Sequence, residues 1–338
     1  MKIIENYPII MGKHCASTSL SEIMKFNGYN YMTESLVFGI SGGLDFLYFN
    51  QHFEEYSRLV FFRTPMLEVD FFNNINNPYK WNFRKDIDWK EIENYIDNNI
   101  PVLFLTDPSM LNLFDTKIKS AAGHTLTLIG YDEKNVYISD GLKDTILKCT
   151  KENLINAIGE PKPVFYEKNI WGPVHPVKIN ESIEQLIVKG VQRNAYTMLY
   201  SKSSSKGIAA IDKLKNEIDH WVDLPNFLGL CSHVYHSIEL IGTGGNGFRK
   251  LYLNFLIEAS NYVRDIANSK LIVIMDKITR QYRTLSRGFY MISKNKQSTN
   301  TGDIKEILNN ISILEESFWR EVETLFPVYE FAKEDIVH

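Results

Sequence analysis

A cysteine is a nucleophile only as its thiolate, and it needs a base that takes its proton and later serves the leaving group. An imidazole oriented by a carboxylate does both. Three residues of this sequence meet that description in chain order. Cys15 stands at the start of a stretch with helical periodicity, where the N–H groups and dipole of a helix N-terminus lower a thiol pKa. His124 opens the run Thr125–Tyr131, and Asp140 closes the run Val136–Ser139. The turn residues Asp132-Glu133-Lys134-Asn135 join the two runs into a hairpin, which brings the start of one strand beside the end of the other. A Cys, His, Asp order with the cysteine on an N-terminal helix and its partners on a sheet is the papain-like arrangement. Each residue has a plainer alternative: Cys15 as a small buried hydrophobe, His124 as a core imidazole satisfied by backbone, Asp140 as a turn former before Gly141.

The elements that must position these residues can be read along the chain. Leu20, Ile23, Met24 and Phe26 form one face of a helix over Thr18–Phe26, with Ser17 or Thr18 as its cap. Leu59–Phe62 and Leu67–Phe72 read as short strands, and Asp88 with Glu91 starts a helix that ends before Pro101. Val102–Leu105 and the two strands of the hairpin suit a mixed sheet. Trp171-Gly172-Pro173-Val174-His175-Pro176 has two prolines and no period, so it reads as a linker. Beyond it the pattern is helical: Ser182–Leu199, Ile208–Val222, one long helix from Phe248 to Ile266, Leu271–Ser286 and Ile304–Leu325. The expected fold class is α+β, a papain-like cysteine-protease domain over 1–170 followed by a helical C-terminal domain over 171–338.

Composition narrows the function. With 44% hydrophobic and 23% charged residues the 338-residue chain is an ordinary globular protein rather than a disordered one. A formal charge of −4 gives no global reason to expect nucleic acid or an anionic membrane as partner. Three widely spaced cysteines, Cys15, Cys149 and Cys231, argue against a disulfide framework, and the start of the chain lacks a signal-peptide pattern. No run approaches a membrane span. A cytoplasmic, cofactor-free and metal-free protein is the expectation; the sequence leaves its oligomeric state open.

Three blocks in order carry a family resemblance. His14-Cys15-Ala16-Ser17-Thr18-Ser19-Leu20, with Glu34-Ser35-Leu36-Val37-Phe38-Gly39-Ile40-Ser41-Gly42-Gly43 after it, resembles the start of the butirosin biosynthesis protein H family. Gly123-His124-Thr125 through Asp140 resembles that family's His and Asp block, and Gly242-Thr243-Gly244-Gly245-Asn246-Gly247-Phe248-Arg249 resembles the entry to its C-terminal domain. The resemblance implies a papain-related fold used for acyl transfer in natural-product biosynthesis. The acyl group comes from the phosphopantetheine thioester of an acyl or peptidyl carrier protein and passes to a small amine, a diamine included. Cys15 would be acylated, His124 would move the protons, and Asp140 would hold the His124 tautomer. One departure stands out. Papain-type enzymes place a glutamine a few residues before the nucleophile, whereas Ile9-Ile10-Met11-Gly12-Lys13-His14 stands here, so the second oxyanion donor is unassigned.

Other features have competing readings. Glu34, Gly244 and Gly245 are expected substrate-binding residues, although Glu34 also suits a structural role, pairing with a backbone N–H or an arginine near the cysteine helix. Gly242, Gly244 and Gly247 satisfy G-x-G-x-x-G, a weak phosphate signal without a preceding strand. His233, His236 and Cys231 read as core or surface groups rather than metal ligands. Arg249 and Lys250, with Lys202 and Lys206, read as a solvated face or as contacts for an acidic carrier protein. Three functions remain in play: an N-acyltransferase, a cysteine peptidase or amidase with water as acceptor, and a non-catalytic binding module.

Overall fold

The computed structural model describes residues 1–50, 57–83, 86–111, 113, 123–159, 168–295 and 300–328. In chain order it holds β1 (Lys2–Ile3), α1 (Cys15–Phe26), α2 (Glu34–Ile40), β2 (Leu44–Phe49), β3 (Leu59–Arg63), α3 (Leu67–Asn74), β4 (Asn82–Phe83), α4 (Trp89–Asp97), β5 (Val102–Thr106), β6 (His124–Tyr131), β7 (Asn135–Ser139), β8 (Leu147–Thr150), α5 (Lys151–Gly159) and β9 (Ile170–Pro173). Seven helices follow: α6 (Ile183–Tyr200), α7 (Gly207–Glu217), α8 (Phe227–Glu239), α9 (Arg249–Ala259), α10 (Arg264–Asn268), α11 (Leu271–Ser293) and α12 (Thr301–Leu325). The fold class is α+β, a sheet-containing N-terminal part and a helical C-terminal part.

The chain separates into two compact units, Met1–Val37 with Pro65–Asn180, and Phe38–Thr64 with Glu181–His338. This differs from the expected division at 170/171 in two ways. The division near the middle falls ten residues later, and the β2–β3 hairpin belongs to the helical unit.

The first unit is built on an antiparallel sheet in the order β4-β9-β5-β6-β7-β8, with β1 pairing a further part of β6. Central β5 is buried at every position, as suits a strand of five apolar or hydroxyl residues covered on both faces. The segment expected as a linker is strand β9 of this sheet: Trp171 is fully buried, pairs with Phe104 in register, and stacks on its ring at 6.5 Å. Pro173 closes the strand, so its missing N–H costs little. Leu67–Phe72, expected as a strand, is the first part of α3. Glu68 and Asp70 favour its N-terminal turn, and Leu67, Phe71 and Phe72 share a buried face at helical spacing.

The second unit packs its helices around one buried charge. Arg249, expected on a solvated face, is fully buried with its Nε on Glu315 at 2.9 Å. Its Nη1 donates to the carbonyls of Asp45, Phe62 and Gly247 at 3.0–3.2 Å, and its guanidinium lies 4.2 Å from the Tyr282 ring centroid. Glu315 also accepts from Trp319 Nε1 at 2.8 Å. One arginine thereby ties β2, β3, α9, α11 and α12. The helix expected from Phe248 to Ile266 is broken after Ala259. Ser260 Oγ and Asn261 Nδ2 take the carbonyls of Ile257 and Glu258, and Val263 is extended. The region expected as a helix over Ile208–Val222 leaves the α form at Glu217 and continues as a 3-10 turn to Asp223. Among the described residues no helix is long and apolar enough to cross a membrane.

Removing one partner of a buried pair strands the other charge. Arg249→Met is therefore expected to destabilise the full chain by about 3–5 kcal/mol, and Arg249→Met with Glu315→Gln to recover much of that loss. Urea unfolding of the three proteins checks it.

Candidate active site

Cys15, His124, Asp140, His14 and Glu34 all belong to the first unit. Cys15 is the first residue of α1, and the helix is capped by His14, one turn earlier than the Ser17 or Thr18 cap that the sequence suggests. His14 is extended, and its Nδ1 accepts the Ser17 N–H at 3.3 Å. Glu34 fixes the entry: its carboxylate accepts from Lys13 N at 3.0 Å, His14 N at 2.7 Å and Ser17 Oγ at 3.2 Å. Its oxygens are thus engaged in holding the turn that carries Cys15, which is the structural contact among its two expected roles and leaves the substrate-binding role without an observation behind it. Two glycines let the chain approach this turn. A Cβ at Gly12 or at Gly141 would overlap the Thr18 side chain, and the two loops are joined by Gly12 N to Gly141 O at 2.7 Å.

His124 and Asp140 come from the β6–β7 hairpin. The register pairs Thr127 with Ser139, which sets the first residues of β6 alongside Asp140, one residue past β7. The His124 Nε2 to Asp140 Oδ2 distance is 2.6 Å, and Asp140 is fully buried. Asp140 Oδ1 is held by the N–H of Leu142 at 3.0 Å, so both carboxylate oxygens have partners. The His124 and His14 rings both stand close enough to the Cys15 thiol to act on its charge. His124 and Asp140 are therefore in direct contact, and the Cys15 thiol is influenced by the same imidazole.

Electrostatics favour the charged form of these groups. Burial pushes the Cys15 thiol up, but the positive charges of His124 and His14 outweigh it and hold the thiol well below its ordinary value. Burial works against the His124 imidazolium, and the Asp140 carboxylate and Cys15 thiolate overcome it and raise His124 to about 10. Both shifts favour a thiolate–imidazolium pair over two neutral groups. Such a pair can attack an electrophilic carbonyl and then protonate the departing group.

Sequence reasoning missed the buried carboxyl of Glu22. Glu22 sits seven residues after Cys15, two turns along the same helix face, in a stretch otherwise apolar or small. That position on a buried face was the available signal. Burial raises Glu22 to about 8 against the N–H of Ile10 and the hydroxyl of Ser139, which donate to it at 2.8 Å. In the same unit, Thr125 Oγ1 donates to the buried Glu68 at 2.6 Å and braces the start of β6.

Gly244 and Gly245 belong to the second unit. Their loop has positive φ at Gly242, Gly244, Gly245, Asn246, Gly247 and Phe248. Its amides are turned inward: Gly245 N donates to Thr243 Oγ1 at 3.0 Å, and Gly247 N to Ile238 O at 2.8 Å. The element before the loop is helix α8, so the strand that the dinucleotide fingerprint requires does not precede these glycines. Cys231, His233 and His236 lie on α8, and among the described residues no group of three or more His, Cys, Asp or Glu could hold a metal ion.

Residues 152–322, about half of the chain, match the family model described as "Domain of unknown function (DUF4872)". The chain belongs to the DUF4872 family. Ahead of that domain, residues 14–141 match the model described as "Butirosin biosynthesis protein H, N-terminal", the family that the sequence blocks resemble. That match begins at the cap of α1 and ends just after Asp140, so it spans Cys15, His124 and Asp140. A solved structure from Bacillus anthracis, described as a C39-like peptidase, is similar over 53% of this chain and 100% of its own, with 18% identity and a TM-score of 0.35. None of the curated proteins matches the sequence.

Two measurements test the electrostatics. Burial raises Cys149 to about 11 and Cys231 to about 12, so iodoacetamide near neutral pH is expected to alkylate Cys15 alone. His124→Ala should move the midpoint of the alkylation profile upward and slow the reaction at pH 6.5 by about tenfold or more. Glu22 has a raised pKa in the fold, so the folded state holds its proton longer than the unfolded chain does. Stability from this group is full below its unfolded value of 4.5 and falls as pH rises to about 8. Glu22→Gln should flatten the fall of stability across that window, read by thermal unfolding at several pH values.

Proposed function

We propose that this chain is an amide-forming N-acyltransferase that takes an acyl group from a carrier-protein thioester and passes it to an amine. The observation that carries the reading is the His124–Asp140 contact together with Cys15 at the head of α1, inside the segment that matches the butirosin biosynthesis protein H N-terminal model. The three residues are proposed as a catalytic triad, and the fold as papain-like in use as well as in arrangement.

The Cys15 thiolate attacks the thioester carbonyl, forming a new S–C bond. The tetrahedral adduct collapses by breaking the bond to the phosphopantetheine sulfur, which leaves as a thiol with the proton of the His124 imidazolium. The amine then attacks the acyl-Cys15 carbonyl, neutral His124 takes a proton from it, and the Cys15 thiolate is expelled. The sum is thioester plus amine giving amide plus thiol. Asp140 stabilises the imidazolium in both steps and keeps the ring in one orientation. A thioester is already activated, so the reaction as proposed draws on no nucleotide, metal or resident cofactor. Its partners are an acyl or peptidyl carrier protein and a small amine, a diamine included.

Intact-protein mass spectrometry tests this reading. Wild type mixed with an acyl-loaded carrier protein should gain the acyl mass, and Cys15→Ala should gain none. Addition of a panel of amines should discharge the adduct as amide. Discharge only to free acid would make the protein a cysteine hydrolase. Absence of an adduct with several acyl chains would remove the carrier thioester as donor.

A further inference from the structure

Glu22 is a fully buried carboxyl that the proposed chemistry leaves without a task. Burying such a group is costly unless its oxygens find donors, so the donors it has found show what it holds together.

Two segments meet on it. Oε1 accepts the N–H of Ile10 at 2.8 Å, and the fully buried Ser139 hydroxyl lies 2.8 Å from both carboxylate oxygens. Ile10 belongs to the segment that leads into Cys15, and Ser139 is the last residue of β7, directly before Asp140. Two residues further along each segment, Gly12 N donates to Gly141 O at 2.7 Å. These hydrogen bonds close a ring through Glu22, Ile10, Gly12, Gly141 and Ser139, and the backbone of Asp140 is part of it. Both glycines pack on Thr18, which stands one turn before Glu22 on the helix that Cys15 begins.

The other holds on Asp140 do not reach that helix. Leu142 N, at 3.0 Å from Oδ1, fixes the carboxylate within its own turn. The pairing of Thr127 with Ser139 fixes it relative to His124, within one hairpin. A hairpin carrying His124 and Asp140 still has to be held against α1, and the Glu22 carboxyl makes that connection from the Cys15 helix itself.

We propose that Glu22 is a positioning residue, which locks the end of β7, and with it the His124–Asp140 pair, against the helix that carries Cys15. The assignment rests on the reading of Cys15, His124 and Asp140 as a triad, and it is the same whether an amine or water takes the acyl group. Burial holds Glu22 at about 8, so glutamine is its neutral counterpart in the range where the lowered thiol titrates. Glu22→Gln keeps an acceptor for Ile10 N and a polar partner for Ser139 Oγ.

The test reads the rate of Cys15 alkylation by iodoacetamide against pH in the full chain, with thermal unfolding as the control for folding. Glu22→Leu takes neither hydrogen bond. Ser139→Ala removes one hydroxyl, so it should stay folded and decides alone if Glu22→Leu does not fold. Each should move the alkylation midpoint upward by about one unit, the size of effect a neighbouring charge has when it is displaced. Glu22→Gln should titrate close to wild type. Ser139→Ala in the Glu22→Leu background should add little, because both changes break one link. Folded Glu22→Leu and Ser139→Ala proteins that titrate like wild type would overturn the proposal, as would additive shifts in the double variant or a Glu22→Gln protein displaced as far as Glu22→Leu. Asp140→Asn separates this failure from that of the triad. It should move the midpoint at least as far as Ser139→Ala, and if it leaves the midpoint in place the triad reading itself fails and takes the Glu22 assignment with it.

Discussion

Everything proposed for this protein depends on keeping a thiolate and an imidazolium side by side in a buried place. Neither charge is stable there by itself, since burial disfavours both. They persist because each is the other's counter-charge, with Asp140 fully buried behind His124 and a helix N-terminus behind Cys15. Removing the carboxylate or unwinding the first turn of α1 would return the pair to a neutral thiol and a neutral ring. The structural effort around the site goes into preventing that.

Much of that effort is spent on the loop that leads into α1. Glu34 gathers Lys13 N, His14 N and Ser17 Oγ, and Gly12 and Gly141 remove the side chains that would push the two flanking loops away from Thr18. Glu22 and Ser139 tie the body of α1 to the end of β7, next to Asp140. The proposed nucleophile and its proposed base come from distant parts of the chain, and these contacts hold helix and hairpin at a fixed spacing. A similar economy governs the second unit, where Arg249 satisfies three backbone carbonyls and one carboxylate and so fixes a hairpin against three helices.

The sequence by itself determined the groups that can do chemistry and the elements with a clean period. Cys15 before a helix, and His124 and Asp140 at the two ends of a hairpin, follow from local turn chemistry and strand register, which depend on neighbours in the chain. The long amphipathic helices α6, α11 and α12 are legible for the same reason. The tertiary structure alone decided which polar groups are buried and whom they meet. His14 looked like an incidental neighbour of the cysteine and is its cap, Glu22 looked like an ordinary helix acid, and Arg249 looked solvated. Trp171 sat in what read as a linker and is the centre of a strand, while the β2–β3 hairpin joined the helices from within the N-terminal stretch. Burial and pairing are set by contacts between residues tens to hundreds of positions apart. A charged side chain reads the same in sequence whether it faces water or a buried partner, and only the fold supplies the partner.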